Sequence, residues 1–481
     1  MKKLYDIFVS CGGRVSTDSR SISGGELFFA LKGENFDGNK FAPKALEAGA
    51  AYAVVSEDSA LSGDKYIPVP DTLATLMELA RYHREHVLPE GRRLPVIGLT
   101  GTNGKTTTKE LIREVLSTKY KVTATVGNLN NDIGVPLSVL SITPETEIAV
   151  IEMGASHPDD IDRLVKVCAP DFGLITNVGT AHILGFGSFE GVKRAKGSLY
   201  DFLSANGGTI FLNADDAVLS EMAAARKGLS IIPYGVDYWN AMVLPSDDYH
   251  PFLRMAIPED VGSGAQSENL PVLETHLVGA YNAANALAAI AIGLHFGVSL
   301  DDAMAAIAAY EPANKRSQMV RTERNILIVD AYNANPSSMA AALANFANVQ
   351  STRKIALLGS MGELGEVSLQ SHIDLINSLF AIPEVHLVGE EFRKALAACM
   401  RDQDPSASLH PSQPMVGPLP FMRPRAATGP DPSRNAASGC LYWHESSAAL
   451  AEWLRENPIS GATILVKGSR SQEMEKVIPE L

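Results

Sequence analysis

The chain has few cysteines, no long apolar run and no excess of positive charge. Its four cysteines in 481 residues (Cys11, Cys168, Cys399 and Cys440) lie far apart, with no CxxC pair and no metal-ligand spacing. A disulfide framework is therefore not expected, and the thiols read as buried or incidental in a reducing compartment. No stretch approaches the roughly 18 apolar residues that a membrane span requires. The opening MKKLYDIFVSCGGR has a basic tip, but its apolar run is broken by Asp6. It does not read as a signal peptide, and a cytoplasmic location is expected. The formal charge of −14 argues against nucleic acid as a partner, because a phosphate backbone needs a basic surface. Small anions are not excluded, since a few cations and backbone amides can hold them against the overall field.

What is present is length and alternation. A chain of 481 residues suggests about three domains. Residues 1–92 mix short β-type runs (LFFAL, YAVVS) with a helical segment near Phe41–Gly49, and the breaker-rich PEGRRLP at 89–95 reads as a linker. From Leu94 strand and helix patterns alternate: PVIGLT, KTTTKELIREVLSTK, IAVIEMG, DDIDRLVKVCA, FGLITNVG, GVKRAKGSLYDFL and TIFLNAD. This order predicts an α/β domain over 93–312 with a parallel sheet covered by helices. An Ala-rich helix at 279–296 and Pro312 close it. A second α/β set over 313–481 predicts a Rossmann-like domain, interrupted by residues 401–439 with eight prolines. That insertion is expected to be a disordered surface loop.

The stretch GLTGTNGKT at 98–106 nearly matches a phosphate-binding loop, but Leu99 stands where the common spacing wants glycine. Its context is a buried-strand pattern followed by a helix, which puts the glycines on a strand-to-helix turn. There, free N–H groups and the positive helix end face a bound phosphate. Gly101 and Gly104 let the backbone approach oxygen atoms, with Thr102 and Asn103 between them. Lys105 would reach the β- and γ-phosphates, the Thr106 hydroxyl would bind Mg²⁺, and Thr107 adds a hydroxyl in the first turn. The loop reads as an ATP site of variant spacing. Later parallel strands deliver residues beside it, because open α/β sheets place ligands at their carboxyl ends. Glu152 ends IAVIEMG and His182 follows FGLITNVGTAH. A carboxylate and an imidazole there suit Mg²⁺.

The form G-x-T-G-T-N-G-K-T resembles that of the Mur ligases and folylpolyglutamate synthases, ATP-dependent enzymes that join an amino acid or peptide to a carboxylate. The segment STDSRSISGGELFFALKGENFDGNKFAPKALEAGA is similar to the uridine-nucleotide-binding domain of some Mur ligases, which folylpolyglutamate synthases lack. The blocks GNLNNDIGVPLSVL, DAYNANPSSM, GSMGELGEVSLQSH and ILVKGSRSQEMEKV are similar to the branch that adds a dipeptide, and the D-N-P-R motif of a single-amino-acid branch is absent. The chain is identified on these blocks as a member of the Mur ligase family, with 401–439 as an insertion relative to it.

The resemblance implies three domains: 1–92 for the UDP-linked substrate, 93–312 for ATP and 313–481 for the dipeptide and adenosine side. It implies ATP-dependent joining of D-alanyl-D-alanine to UDP-N-acetylmuramoyl-tripeptide through an acyl phosphate, in peptidoglycan precursor synthesis. The alternatives are a relative adding one amino acid, or a folylpolyglutamate synthase-like ligase. Glu152 and His182 fall on the family's metal positions. Lys196, on composition a solvated helix lysine, aligns with a lysine that becomes carbamylated and binds a second Mg²⁺. Asn282 and Asn285 match a motif on the ATP side, with Tyr281 in place of its histidine, and would pair with adenine. Arg316 and Asp330 match two further positions on the ATP side, and Arg316 would reach the γ-phosphate on domain closure. The catalytic set implied is Lys105, Arg316, His182 and Lys196. For the substrates, Ser19, Arg20 and Gly25 are expected at the uracil and diphosphate end. Asn130 and Asn131 would hold the sugar-peptide, and Tyr332, Asn333 and Asn335 would face the dipeptide or adenosine. A monomer is compatible with all of this.

Overall fold

A computed structural model describes residues 1–33, 36–89, 92–181, 183–245, 252–261, 270–312, 316, 318–401, 415–416 and 440–481. His182, the middle of the 89–95 linker and nearly all of the 401–439 insertion lie outside them. The fold is α/β. Two compact units make it up: Met1–Val178 with Lys193–Tyr234 and Ala288–Ala303, and Gly179–Val192 with Gly235–Leu287 and Met304–Leu481.

The first unit holds two parallel sheets. The smaller runs Val15–Ser16, Leu27–Phe29, Tyr52–Ser56, Tyr66–Val69 in spatial order. The larger runs Ser230–Tyr234, Thr209–Asn213, Phe172–Ile175, Val96–Thr100, Ile148–Glu152, Val122–Ala124, all parallel. Val96–Thr100 is fully buried, as a central strand covered on both faces must be. The helix Lys105–Ser117 buries Leu111, Ile112, Val115 and Leu116, which a 3.6-residue period sets on one face. The helix Thr72–His86 is capped by the Asp71 carboxylate on the N–H groups of Leu73 and Ala74. Its Leu76 and Leu79 join one continuous core with Leu27, Phe29, Val135, Ile151 and Leu164. The small sheet and the large one therefore share a hydrophobic interior.

The second unit is built on a seven-stranded sheet in the order Gln318–Arg321, Ile326–Asp330, Thr463–Lys467, Lys354–Gly359, Glu384–Val388, Cys440–His444, Met415–Val416. The first and last are antiparallel and the rest parallel. Thr463–Lys467 lies between two strands that precede it by more than a hundred residues, and all five of its residues are buried. Asn335 caps the helix Pro336–Asn348 in a reciprocal box with Ser338. A three-stranded antiparallel sheet, Met242–Leu244, Arg254–Ala256 and Val272–Glu274, was not foreseen in the sequence. The Ala-rich stretch is a short 3₁₀ turn, Ala280–Asn282, leading into the helix Ala283–His295. No described helix is long and apolar enough to cross a membrane.

Candidate functional site

In the first unit the loop 101–104 leaves the central strand Val96–Thr100 and turns into the helix at Lys105. Gly104 occupies the N-cap in the left-handed region, φ 79°, and no side chain caps that helix end. The positive end of the helix dipole therefore points toward the loop. Gly101 has φ 152°, and a Cβ built on it would stand 1.9 Å from the Thr176 hydroxyl. The neighbouring strand, Phe172–Ile175, braces the loop. Asn177 accepts the Thr102 N–H on its carbonyl and the Asn103 N–H on its side-chain oxygen, both at 3.0 Å. Thr176 Oγ1 and Asn177 Nδ2 donate to the Asn103 carbonyl, at 2.6 and 3.0 Å. The sequence reading missed Thr176 and Asn177, although their place at the end of a strand adjacent to the loop strand was the available signal.

The Lys105 ammonium bends back onto the loop, donating to the Gly101 and Thr102 carbonyls at 2.7 and 3.1 Å. Lys196 donates to the same Gly101 carbonyl at 3.0 Å and is 3% exposed. It is not on a solvated face. Burial, and secondarily the charge of Lys105, push the Lys196 amine well below the ordinary lysine range.

Glu152 stands opposite Leu99 in the register of the adjacent strand. It is 1% exposed. Its Oε1 accepts from the Asn130 amide at 2.7 Å and from the Thr106 hydroxyl at 3.3 Å. Its Oε2 is buried without a partner. The Glu152 N–H is held by the Thr125 hydroxyl at 3.0 Å, and the buried Lys109 donates to the Thr125 carbonyl at 2.6 Å. Asn130 thus lies on the carboxylate, while Asn131 Oδ1 caps the turn at Ile133 and Gly134. Lys109 and Thr125 gave no sequence signal beyond a polar helix position and a strand end.

At the amino-terminal end, Arg20 is exposed and ion-paired with Asp18 at 2.7 Å, and Ser19 beside it is half-buried. The Gly25 N–H donates to the Gly49 carbonyl at 2.7 Å. The buried Glu26 collects the Ser23 and Gly24 N–H groups and the Ser23 hydroxyl, and this holds its carboxyl down at about 2.

In the second unit, Asp330 ends its strand and pairs with the buried Lys467, whose Nζ also reaches the Asn333 carbonyl at 3.4 Å. The Arg316 guanidinium carbon lies 3.7 Å from the Tyr332 ring centroid. Asn282 and Asn285 are buried and bonded to one another at 2.9 Å, with Asn282 Nδ2 donating to the Val278 carbonyl. Asn333 is exposed, whereas Asn335 is spent on capping.

A glycine turn between a central parallel strand and a helix, with a lysine on the turn and a buried carboxylate on the next strand, defines a nucleotide-binding α/β protein of the phosphate-loop kind. Three family models match: the Mur ligase middle domain over residues 99–293, the Mur ligase glutamate ligase domain over 315–413, and the Mur ligase family catalytic domain over 13–84. The UDP-N-acetylmuramoyl-tripeptide–D-alanyl-D-alanine ligase of Bacillus subtilis is 36% identical over 74% of this chain and 75% of its own length. That of Treponema pallidum is 29% identical over 97% and 93%. A crystal structure of MurF from Acinetobacter baumannii, 29% identical, superposes with a TM-score of 0.78 over 97% of this chain and 93% of that one. The chain belongs to the Mur ligase family.

Proposed function

We propose that the chain joins D-alanyl-D-alanine to the terminal carboxylate of UDP-N-acetylmuramoyl-tripeptide at the expense of ATP, in cytoplasmic peptidoglycan precursor synthesis. The similarity to relatives that carry this name covers 74% of the chain in one case and 97% in another. The observation that carries the chemistry is Glu152: a buried carboxylate with one oxygen fixed and the other unpartnered, within reach of the Thr106 hydroxyl in the first turn of the loop's helix.

An orphaned buried carboxylate oxygen costs free energy unless something binds it, so the residues fit a cation. Thr106, Glu152 and His182 would hold Mg²⁺, and Lys196, once carbamylated, a second ion. Bound there, Mg²⁺ supplies neutralisation of phosphate charge. Lys196 fits that modification because its displaced pKa favours the neutral amine, the form that can attack CO₂. The N–C bond forms as the amine proton leaves, giving a carbamate.

The loop Gly101–Thr107 and Lys105 bind the phosphates, and Asn282, Asn285 and Asp330 belong to the ATP side. Lys105 and Arg316 hold the charge of the γ-phosphoryl group as it passes to the tripeptide carboxylate. The acyl phosphate and ADP result. The neutral dipeptide amine then attacks the acyl carbon, the C–N bond forms as the amine loses a proton to solvent, and the C–O bond breaks to release phosphate. No protein nucleophile takes part, so catalysis is positioning and electrostatics. Residues 1–92, through Ser19, Arg20 and Gly25, take the uridine diphosphate end, and 93–312 and 313–481 take ATP and the dipeptide. Asn130 acts on Glu152, and the exposed Asn333 is the residue of its group open to the dipeptide.

The test is ADP release with UDP-tripeptide present, with and without D-Ala-D-Ala, and with a diamino acid in its place. Release that follows the dipeptide supports the assignment. Release that follows the single amino acid on the corresponding dipeptide-linked acceptor replaces it with the other branch.

A further inference from the structure

Arg316 is fixed in an unusual way for a cation. Its Nε is buried without a hydrogen-bond partner, and among the described residues it has no ion pair. Asp330, two residues before Tyr332, is paired with Lys467, which is 1% exposed. What Arg316 does have is the face of Tyr332, 3.7 Å from ring centroid to guanidinium carbon. A second guanidinium, that of Arg470, stands 5.7 Å from the same ring.

We propose that Tyr332 is a positioning residue: its aromatic face holds the Arg316 guanidinium in place without cancelling the charge that the transferring phosphoryl group uses. This rests on the ligase reading above. A carboxylate at salt-bridge distance would fix Arg316 equally well, but would offset most of its field at a phosphate. The ring attracts the cation through its quadrupole and carries no net charge. A planar guanidinium lies flat on such a face in a way an ammonium does not. The face of Tyr332 does the work, and its hydroxyl is not needed.

The experiment is steady-state turnover of the full chain with ATP, UDP-tripeptide and D-Ala-D-Ala, for Tyr332→Leu, Tyr332→Phe, Arg316→Ala and the double variant. Tyr332→Leu is expected to lower kcat about tenfold, with the KM values for ATP, UDP-tripeptide and D-Ala-D-Ala within about twofold of wild type. Tyr332→Phe recovers most of that loss. Adding Tyr332→Leu to Arg316→Ala costs less than about twofold further, because the ring then has nothing to hold. Tyr332→Met, run alongside, also removes the ring while keeping bulk, so the result does not depend on one variant folding. A tenfold rise in dipeptide KM makes Tyr332 a substrate contact and overturns the proposal. So does equal loss in the presence and absence of Arg316, or failure of phenylalanine to recover turnover. Wild-type protein that makes no ADP with both substrates present overturns the ligase reading itself, independently of any variant.

Discussion

Replacing Gly101 by alanine isolates the contribution of the loop backbone. The new Cβ meets the Thr176 hydroxyl at 1.9 Å and the Thr176 backbone nitrogen at 3.0 Å, and the residue sits at φ 152°. The hydroxyl must retreat beyond 3.0 Å, which breaks its 2.6 Å hydrogen bond to the Asn103 carbonyl. Strain at that φ costs about 1–2 kcal/mol and the lost hydrogen bond about 1 kcal/mol. The sum, about 3 kcal/mol, falls on the nucleotide-binding conformation. ATP affinity should weaken on the order of 100-fold by calorimetry. Lys105 and Lys196 both donate to the Gly101 carbonyl, so turnover should fall at least as far. Thr176→Ala alone should cost about 1 kcal/mol, and the double variant less than the sum of the two, since the nearest clash is then gone. Unchanged ATP affinity in Gly101→Ala, or strict additivity in the double variant, would refute the account of how the loop is built.

Glu152→Gln should raise the Mg²⁺ concentration at half-maximal turnover and weaken Mg²⁺ binding seen by calorimetry, with thermal stability little changed; an unaltered Mg²⁺ dependence sinks the metal role. Lys196→Met should abolish turnover yet stabilise the fold by about 1–3 kcal/mol at neutral pH, because a buried amine is replaced by a thioether of similar length. Because the folded Lys196 sits below its unfolded value, the cost of keeping it is largest at low pH and shrinks as pH rises toward the ordinary lysine range. The gain should therefore be larger at pH 6 than at pH 9 in denaturant titrations, and the opposite trend contradicts it. Glu26, held at about 2, contributes stability that is present above its unfolded value and lost as pH falls through 2. Glu26→Gln should lose about 2 kcal/mol at pH 7 and flatten the acid limb between pH 5 and 2; a parallel acid limb would show the hydrogen bonds from Ser23 and Gly24 to be inconsequential.

Much of the architecture was legible because its signals are local. The strands around Val96, Ile148, Phe172, Ile326, Lys354 and Thr463 are short apolar runs bounded by breakers, and each formed where its run lies. Met242–Leu244, Arg254–Ala256 and Val272–Glu274 escaped because their pairing is a long-range matter and the runs are only three residues each. The phosphate loop was readable as a motif. Its braces were not: Thr176 and Asn177 act through position beside Gly101 and Asn103, which only the sheet order reveals. For Lys196 composition alone pointed to solvent, whereas burial is set by tertiary packing. Asn131 and Asn335 illustrate the reverse error of emphasis, since turn and cap chemistry explains both amides.

The place of Thr463–Lys467 bears on how the protein is made. This strand bridges Ile326–Asp330 and Lys354–Gly359, joining residues as far apart as Asp330 and Lys467. While a ribosome is still translating the preceding segment, those two strands have no common neighbour and their apolar edges lie open. Closure of such distant pairings is slow and leaves half-built chains prone to sticking together. Nascent molecules should thus depend on chaperone protection until the wedge arrives, and a stop codon placed just before residue 463 should give insoluble product, not a partly working one.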